Sequence, residues 1–278
     1  MKTKATFRRL VGTALALTAA AAAACSDTTG VPMPTPVSLR FQVTTPGATA
    51  VSPGGILAVG PQRVAGPPMV IDGLNGSLTI DEIRIIINQA ELKPADGSCD
   101  LAEASGEDCP DFEAPPRFLD LPLDGEPIDA FTALIPAGTY KALDFEIEDL
   151  EDDETDPTVA AAIDVLRADI LSEFPDWPDQ ASVLVSGSFT PTGSDPVDFR
   201  TYLKAEIEVE MALVPNLVID ESGRASRNLT VDVSPHMWFL LDDGSVLPLS
   251  DYDYGATQEM LEFDVEMEDG FTQIEVGG

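Results

Sequence analysis

Carboxylates recur at every second residue in three stretches: Asp144, Glu146 and Glu148; Glu206, Glu208 and Glu210; and Glu262, Asp264, Glu266 and Glu268. Alternate side chains of a strand share a face, so each stretch reads as a ladder of acid. Like charges directly opposite one another across a sheet are destabilising. Either these strands are not neighbours on one face, or something positive sits between them. Beyond residue 24 the only lysines are Lys93, Lys141 and Lys204, too few for the task. Calcium, which takes about six to eight oxygens, is the natural candidate; the plain alternative is a water-facing surface on an acid-rich protein. A calcium loop of non-EF type is expected, if anywhere, at Asp251, Asp253 and Glu262. These occupy positions 1, 3 and 12 of an EF-hand count, but Gly255 stands at position 5 and Ala256 at position 6, where glycine is required. Other chemistry has little to draw on. The chain has one histidine, His236, beside Trp238 and Phe239, where a packed residue is expected rather than a base. No serine sits in a nucleophile elbow, and no glycine loop is built to cradle phosphate.

The cysteines point to a compartment. Lys2, Lys4, Arg8 and Arg9 precede an apolar stretch from Leu10 to Ala24, which ends in an alanine run and Cys25. This is the order of an export signal, and the stretch falls short of the roughly 20 apolar residues that cross a bilayer. Ala22-Ala23-Ala24-Cys25 resembles the lipobox of a bacterial lipoprotein signal peptide, departing at Ala22, where leucine is usual. The resemblance implies that residues 1–24 are removed and that Cys25 is lipidated. A membrane anchor follows, each buried methylene adding about 0.8 kcal/mol, and Ser26 is compatible with outer-membrane sorting. Of three cysteines, Cys99 and Cys109 then remain to pair across a short polar loop. A disulfide there would stabilise by roughly 2–3 kcal/mol and persist in an exported protein. The rival, a zinc site, wants about four nitrogen or sulfur ligands.

Formal net charge is −34, and loss of the leader removes basic residues only. Nucleic acid is excluded as a partner. Residues 25–36, with three prolines, read as a tether of about 3.1 Å per residue if extended, and residues 37–278 as one domain.

Within that domain the period is two. Leu203, Ala205, Ile207, Val209, Met211 and Leu213 alternate with polar residues, as do Leu39/Phe41/Val43, Leu143/Phe145/Ile147, Val183/Val185/Phe189, Leu229/Val231/Val233 and Leu261/Phe263/Val265/Met267. Each is a half-buried strand. Between Leu78 and Leu92 the apolar phase jumps twice. One slip flips every side chain, so a long bent strand re-phased by bulges is expected, as at the corner of a sandwich. Strands separated by Gly, Pro and Asp turns indicate an all-β, antiparallel sandwich. One inserted α-helix is expected near 156–173. Asp156 would be its N-cap and Pro157 its first residue, with Val159, Ile163, Leu166 and Ile170 on one stripe.

Thr79-Ile80-Asp81-Glu82-Ile83, Phe118-Leu119-Asp120-Leu121 and Pro136-Ala137-Gly138-Thr139-Tyr140 resemble, in order, the strand and turn motifs of the DUF4382 family of bacterial lipoproteins. The resemblance covers roughly residues 37–150. It implies a prealbumin- or immunoglobulin-like sandwich on a cell envelope and no particular activity. The acidic loop and helix at 149–180 and the stretch Val231–Phe239 depart from the pattern.

The sequence thus reads as an exported, lipid-anchored, non-enzymatic β-sandwich that binds a ligand or partner or acts structurally. A calcium-dependent adhesion or glycan-binding module is one alternative, with Trp177, Tyr252 and Tyr254 as contact residues. A glycoside-active enzyme using two carboxylates is another, since such pairs stand about 5–9.5 Å apart.

Overall fold

The alternating stretches fold as strands because one side of each is apolar and is buried against a neighbour. A computed structural model describes residues 34–44, 67–95, 113–150, 156–220, 226–263 and 265–277; Cys25, Cys99, Cys109, the leader and most of the tether lie outside the described residues. In chain order the strands are β1 (Thr35–Val43), β2 (Met69–Gly73), β3 (Gly76–Ile87), β4 (Gln89–Pro94), β5 (Glu113–Ala114), β6 (Arg117–Asp120), β7 (Ile128–Ile135) and β8 (Gly138–Ile147). After helix α1 (Pro157–Glu173) come β9 (Val183–Pro191), β10 (Val197–Lys204), β11 (Ile207–Ile219), β12 (Arg227–Val233), β13 (Leu261–Glu262) and β14 (Phe271–Gly277).

The described strands form three sheets. Sheet A runs β14-β12-β1-β7; sheet B runs β13-β10-β9-β3-β2, with β6 on β3; sheet C runs β11-β8-β4-β5. Sheets B and C are joined by chain that bends from one into the other, which is how sandwich corners are made. The first bend is the predicted one: β3 slips register between Ile80 and Glu82, then passes at Asn88 into β4. There the Ile86 N–H donates to Ser182 O of the sheet B side, while the Asn88 N–H donates to Glu146 O of sheet C. The second bend lies where one continuous strand is expected. Leu203 to Leu213 is split after Lys204, because Ala205 is captured by the buried Ser182 hydroxyl, which accepts from its N–H and donates to its carbonyl, each at 2.9 Å. The alternation survives the split, so the sequence pattern does not reveal it.

All three sheets share one core. Phe41 of sheet A meets Phe145 of sheet C edge to face at 5.6 Å, and Phe145 meets Phe271 at 5.1 Å. The architecture is an all-β sandwich, but the sheets are mixed: β1 runs parallel to β12, and β10 parallel to β13. Period-two patterning reports one-sided burial, which parallel and antiparallel pairs both permit. The stretch from Leu261 also departs from expectation. Only Leu261–Glu262 is strand, and Val265–Glu268 is a helical turn. Phe263 and Met267 are both buried; they alternate like strand residues but also stand four apart, the helical spacing.

Helix α1 forms as predicted. Asp156 Oδ1 accepts from the Thr158 and Val159 N–H groups at 2.7 and 3.2 Å, with Pro157 in the first turn. Ile163 and Ile170 pack on Ile86 and Leu150. The helix is tied to sheet B through buried Arg84, whose Nη2 lies 2.7 Å from Glu82, 3.1 Å from Glu173 and 3.4 Å from Asp120. Its guanidinium also sits over Phe118 and Phe174.

At the re-phasing point β9 must approach β3 closely. A Cβ on Gly187 would stand 2.0 Å from Thr79 O, so only glycine fits. Replacement Gly187→Ala is expected to lower thermal stability by about 1–3 kcal/mol, measurable by calorimetry, whereas alanine at exposed Gly193, with open space around its Cβ position, exerts strain only through its backbone.

Candidate functional site

The acid ladders of β8 and β11 converge. In sheet C, Asp144 stands directly opposite Glu210 on one side and Glu91 on the other, and Glu146 stands opposite Glu208 and Gln89. The same register places Phe145 between Val209 and Ala90 on the core face. Burying one face therefore forces the carboxylates together on the other. Cross-strand partners have Cβ atoms about 4.5–5.5 Å apart, so the repulsion is direct.

Lys93 is the counter-charge. It lies one row along from Glu91 on β4 and pairs with Asp144, with Glu210 at 3.2 Å and with Glu208 at 3.9 Å. Asp144 is only 6% exposed, and its Oδ1 has no hydrogen-bond partner. Carboxylate contacts, above all Asp144, hold Lys93 charged well above the ordinary lysine range. The stability Lys93 contributes is therefore undiminished below the ordinary lysine value of 10.5 for as long as its carboxylate partners stay ionised, and on the alkaline side is lost only as pH rises through the elevated value. The second ladder sheds one member: Glu206 lies before β11 and pairs with Lys204 at 2.9 Å. Asn88 Nδ2 donates to Glu148 at 2.6 Å. Too few in number for the whole surface, the lysines are nevertheless placed where the ladders meet.

Beside this face, the outer edges of β11 and β14 border a groove of about 480 Å³. Val209, Met211, Phe271 and Ile274 supply its apolar lining, and Glu210 and Glu268 its carboxylates. Glu210 thus belongs to both the acid face and the groove. Neither Lys93 as a bridging cation nor Glu268 as a groove residue is visible in single-strand alternation; strand pairing is needed to see them.

The expected calcium loop is not assembled. Asp253 Oδ1 accepts the Arg200 N–H at 3.0 Å and its Oδ2 the Ala256 N–H at 3.1 Å, capping a short helical turn. Asp251 is exposed on the preceding turn and Glu262 on β13. Among the described residues, no three His, Cys, Asp or Glu side chains are grouped to hold a metal ion. The third acid ladder is not one strand: Glu262 lies on β13 and Glu266 and Glu268 on the helical turn Val265–Glu268, while Asp264 lies outside the described residues.

The expected aromatic contact residues Trp177, Tyr252 and Tyr254 are all half-buried. Trp177 packs edge to face on Phe118 and Tyr202, both at 5.1 Å, and its Nε1 donates to Ala181 O at 3.2 Å. Tyr254 meets Tyr202 at 5.0 Å, and Tyr252 is half-buried. Trp177 and Tyr254 thus pack with Phe118, Phe174 and Tyr202 on the outer side of sheet B near α1. His236 is half-buried, and desolvation lowers its pKa. It opens a helical turn whose Trp238 and Phe239 are buried, with Trp238 Nε1 donating to Met267 O at 3.0 Å, as a packed residue should.

No protein-family model and no curated protein matches the chain. Among solved structures it is similar to MbnP from Methylosinus trichosporium, at 12% identity, with 71% of this chain and 75% of that chain covered and a TM-score of 0.36. A likeness that loose transfers no function.

Two measurements probe the acid face. Burial first, then Glu148, Glu208, Asp144 and Glu91, raise the pKa of Glu146; burial likewise raises those of Asp149 and Asp232. For a carboxylate raised on folding, the native state binds more protons than the unfolded chain as pH falls toward the ordinary value. Stability therefore increases on mild acidification. Melting temperature is expected to be higher at about pH 5 than at about pH 7, and Glu146→Gln should stabilise at pH 7 by about 0.2–1 kcal/mol while shrinking that difference. Conversely, Lys93→Met strands buried Asp144. Because Lys93 is 28% exposed, denaturant titration should register a loss of about 2–3 kcal/mol, below the roughly 3–5 of a fully buried pair.

Proposed function

We propose that this protein is an exported, lipid-anchored, non-enzymatic β-sandwich of the DUF4382 type that binds a partner through the acidic face of sheet C. The observation that carries the reading is the in-register meeting of the β8 and β11 carboxylates around one lysine. A surface required only for solubility has no need to set like charges opposite one another, at a cost in stability. Such a face attracts a cationic partner, accelerating encounter and suppressing anionic competitors. The lipobox at Cys25 supports the location, and the three motifs shared with lipoprotein sandwiches support the same compartment. Anchored through Cys25, the domain would hold this face above the bilayer on a proline-bearing tether.

Two tests separate address from activity. Metabolic labelling with palmitate should mark the wild-type chain and not Cys25→Ser, and the variant should leave the membrane fraction; equal labelling would refute the anchor. For the face, titration with hexalysine should show affinity that falls as salt rises. It should drop roughly tenfold when Glu91→Gln and Glu208→Gln are combined. Binding unaffected by that double substitution would remove sheet C as the contact surface.

A further inference from the structure

We propose that the outer edge of β14 is a strand-addition site for an extended, basic segment of a partner protein, seated in the groove between β14 and β11. This rests on the partner-binding reading but not on the anchor. Among the described strands, β14 is the last of sheet A and is hydrogen-bonded only to β12, and its Phe271–Ile274 segment lines the groove. Soluble proteins blunt such edges with lysine, proline or bulges. The Phe271–Gly277 strand contains neither lysine nor proline, and its bulge, where register shifts opposite Asp232 and Val233, leaves Gln273–Gly277 regular. The facing strand differs. β11 contains Pro215 and slips its ladder between Ala212 and Leu217, so it serves as a wall and β14 as the template.

The lining then selects the occupant. An added strand sends alternate side chains to opposite faces, and the groove offers both kinds of contact: exposed Val214 and half-buried Ile274 for apolar residues, and Glu210 and Glu268 for basic ones. A second copy of this chain is disfavoured as occupant, because a chain of net charge −34 would bring Glu268 and Glu275 against its own acidic rim. Charge complementarity points instead to a segment alternating apolar and lysine or arginine residues, reading the backbone of β14 and the acids of the rim together.

The test uses the full-length chain in detergent and three synthetic octapeptides: alternating valine and lysine, the same peptide N-methylated at alternate amides, and alternating valine and glutamate. The valine–lysine peptide is expected to bind and to slow hydrogen exchange at Gln273–Gly277. N-methylation and the glutamate exchange should each abolish binding, and Glu268→Lys should weaken it roughly tenfold. No binding, equal binding of the N-methylated peptide, or binding without protection at Gln273–Gly277 would overturn the proposal. The two readings fail separately. If Glu91→Gln with Glu208→Gln removes binding while N-methylation is tolerated, the acid face stands and the edge does not. Protection of β14 that survives those substitutions leaves the edge standing and the acid face unsupported.

Discussion

The pairing register of β8 and β11 is the constraint from which the surface of this protein follows. Phe145 must lie opposite Val209 for the core to close beneath Phe41 and Phe271. With side chains alternating strictly, Asp144 must then face Glu210, and Glu146 must face Glu208. Slipping by one residue would relieve the charge and expose the core, a far larger loss at about 25 cal/mol per Å² of apolar surface. Hydrophobic burial therefore wins, and the electrostatic strain is managed locally by Lys93, by the Asn88 amide at Glu148 and by the raised proton affinity of Glu146.

Sheet C can carry this face because its strands are delivered to it by bends. β3 turns into β4 at Asn88, and β10 gives way to β11 at Ala205, both next to Ser182 or its hydrogen-bonded neighbours. The first bend brings Glu91 and Lys93 alongside β8; the second brings Glu208 and Glu210 to its other side. A single corner thus assembles the acid face from two distant stretches of chain. The opposite, sheet B side of the corner is closed by α1, the Arg84 cluster and the packed aromatics, which leaves sheet C and the groove beside it as the chemically distinctive exposed surface among the described residues.

Much of this architecture is legible in local sequence patterns. The period-two stretches at Leu39–Val43, Leu143–Ile147, Val183–Phe189 and Leu229–Val233 are strands, Asp156 and Pro157 start helix α1, and the phase jump after Ile80 is a register shift. Each is a local signal set by alternation, capping or proline. The failures also have local causes. Phe263 and Met267 satisfy both the strand and the helix spacing, and the break at Ala205 leaves the alternation untouched. Asp253 looks like a calcium ligand until a backbone N–H from β10, far away in sequence, is seen to occupy it.

Taken alone, the sequence determined which residues carry acid, which alternate into a core, and that Cys25 closes a stretch patterned as an export signal, because composition and short-range spacing are written residue by residue. Tertiary structure alone decided that two of the three acid ladders are neighbours, that one lysine bridges them, and that β14 lies at a sheet edge beside β11. Strand order and register join residues more than 50 positions apart, as in the pairing of Asp144 with Glu91 and Glu210, and no local pattern encodes which strands will meet.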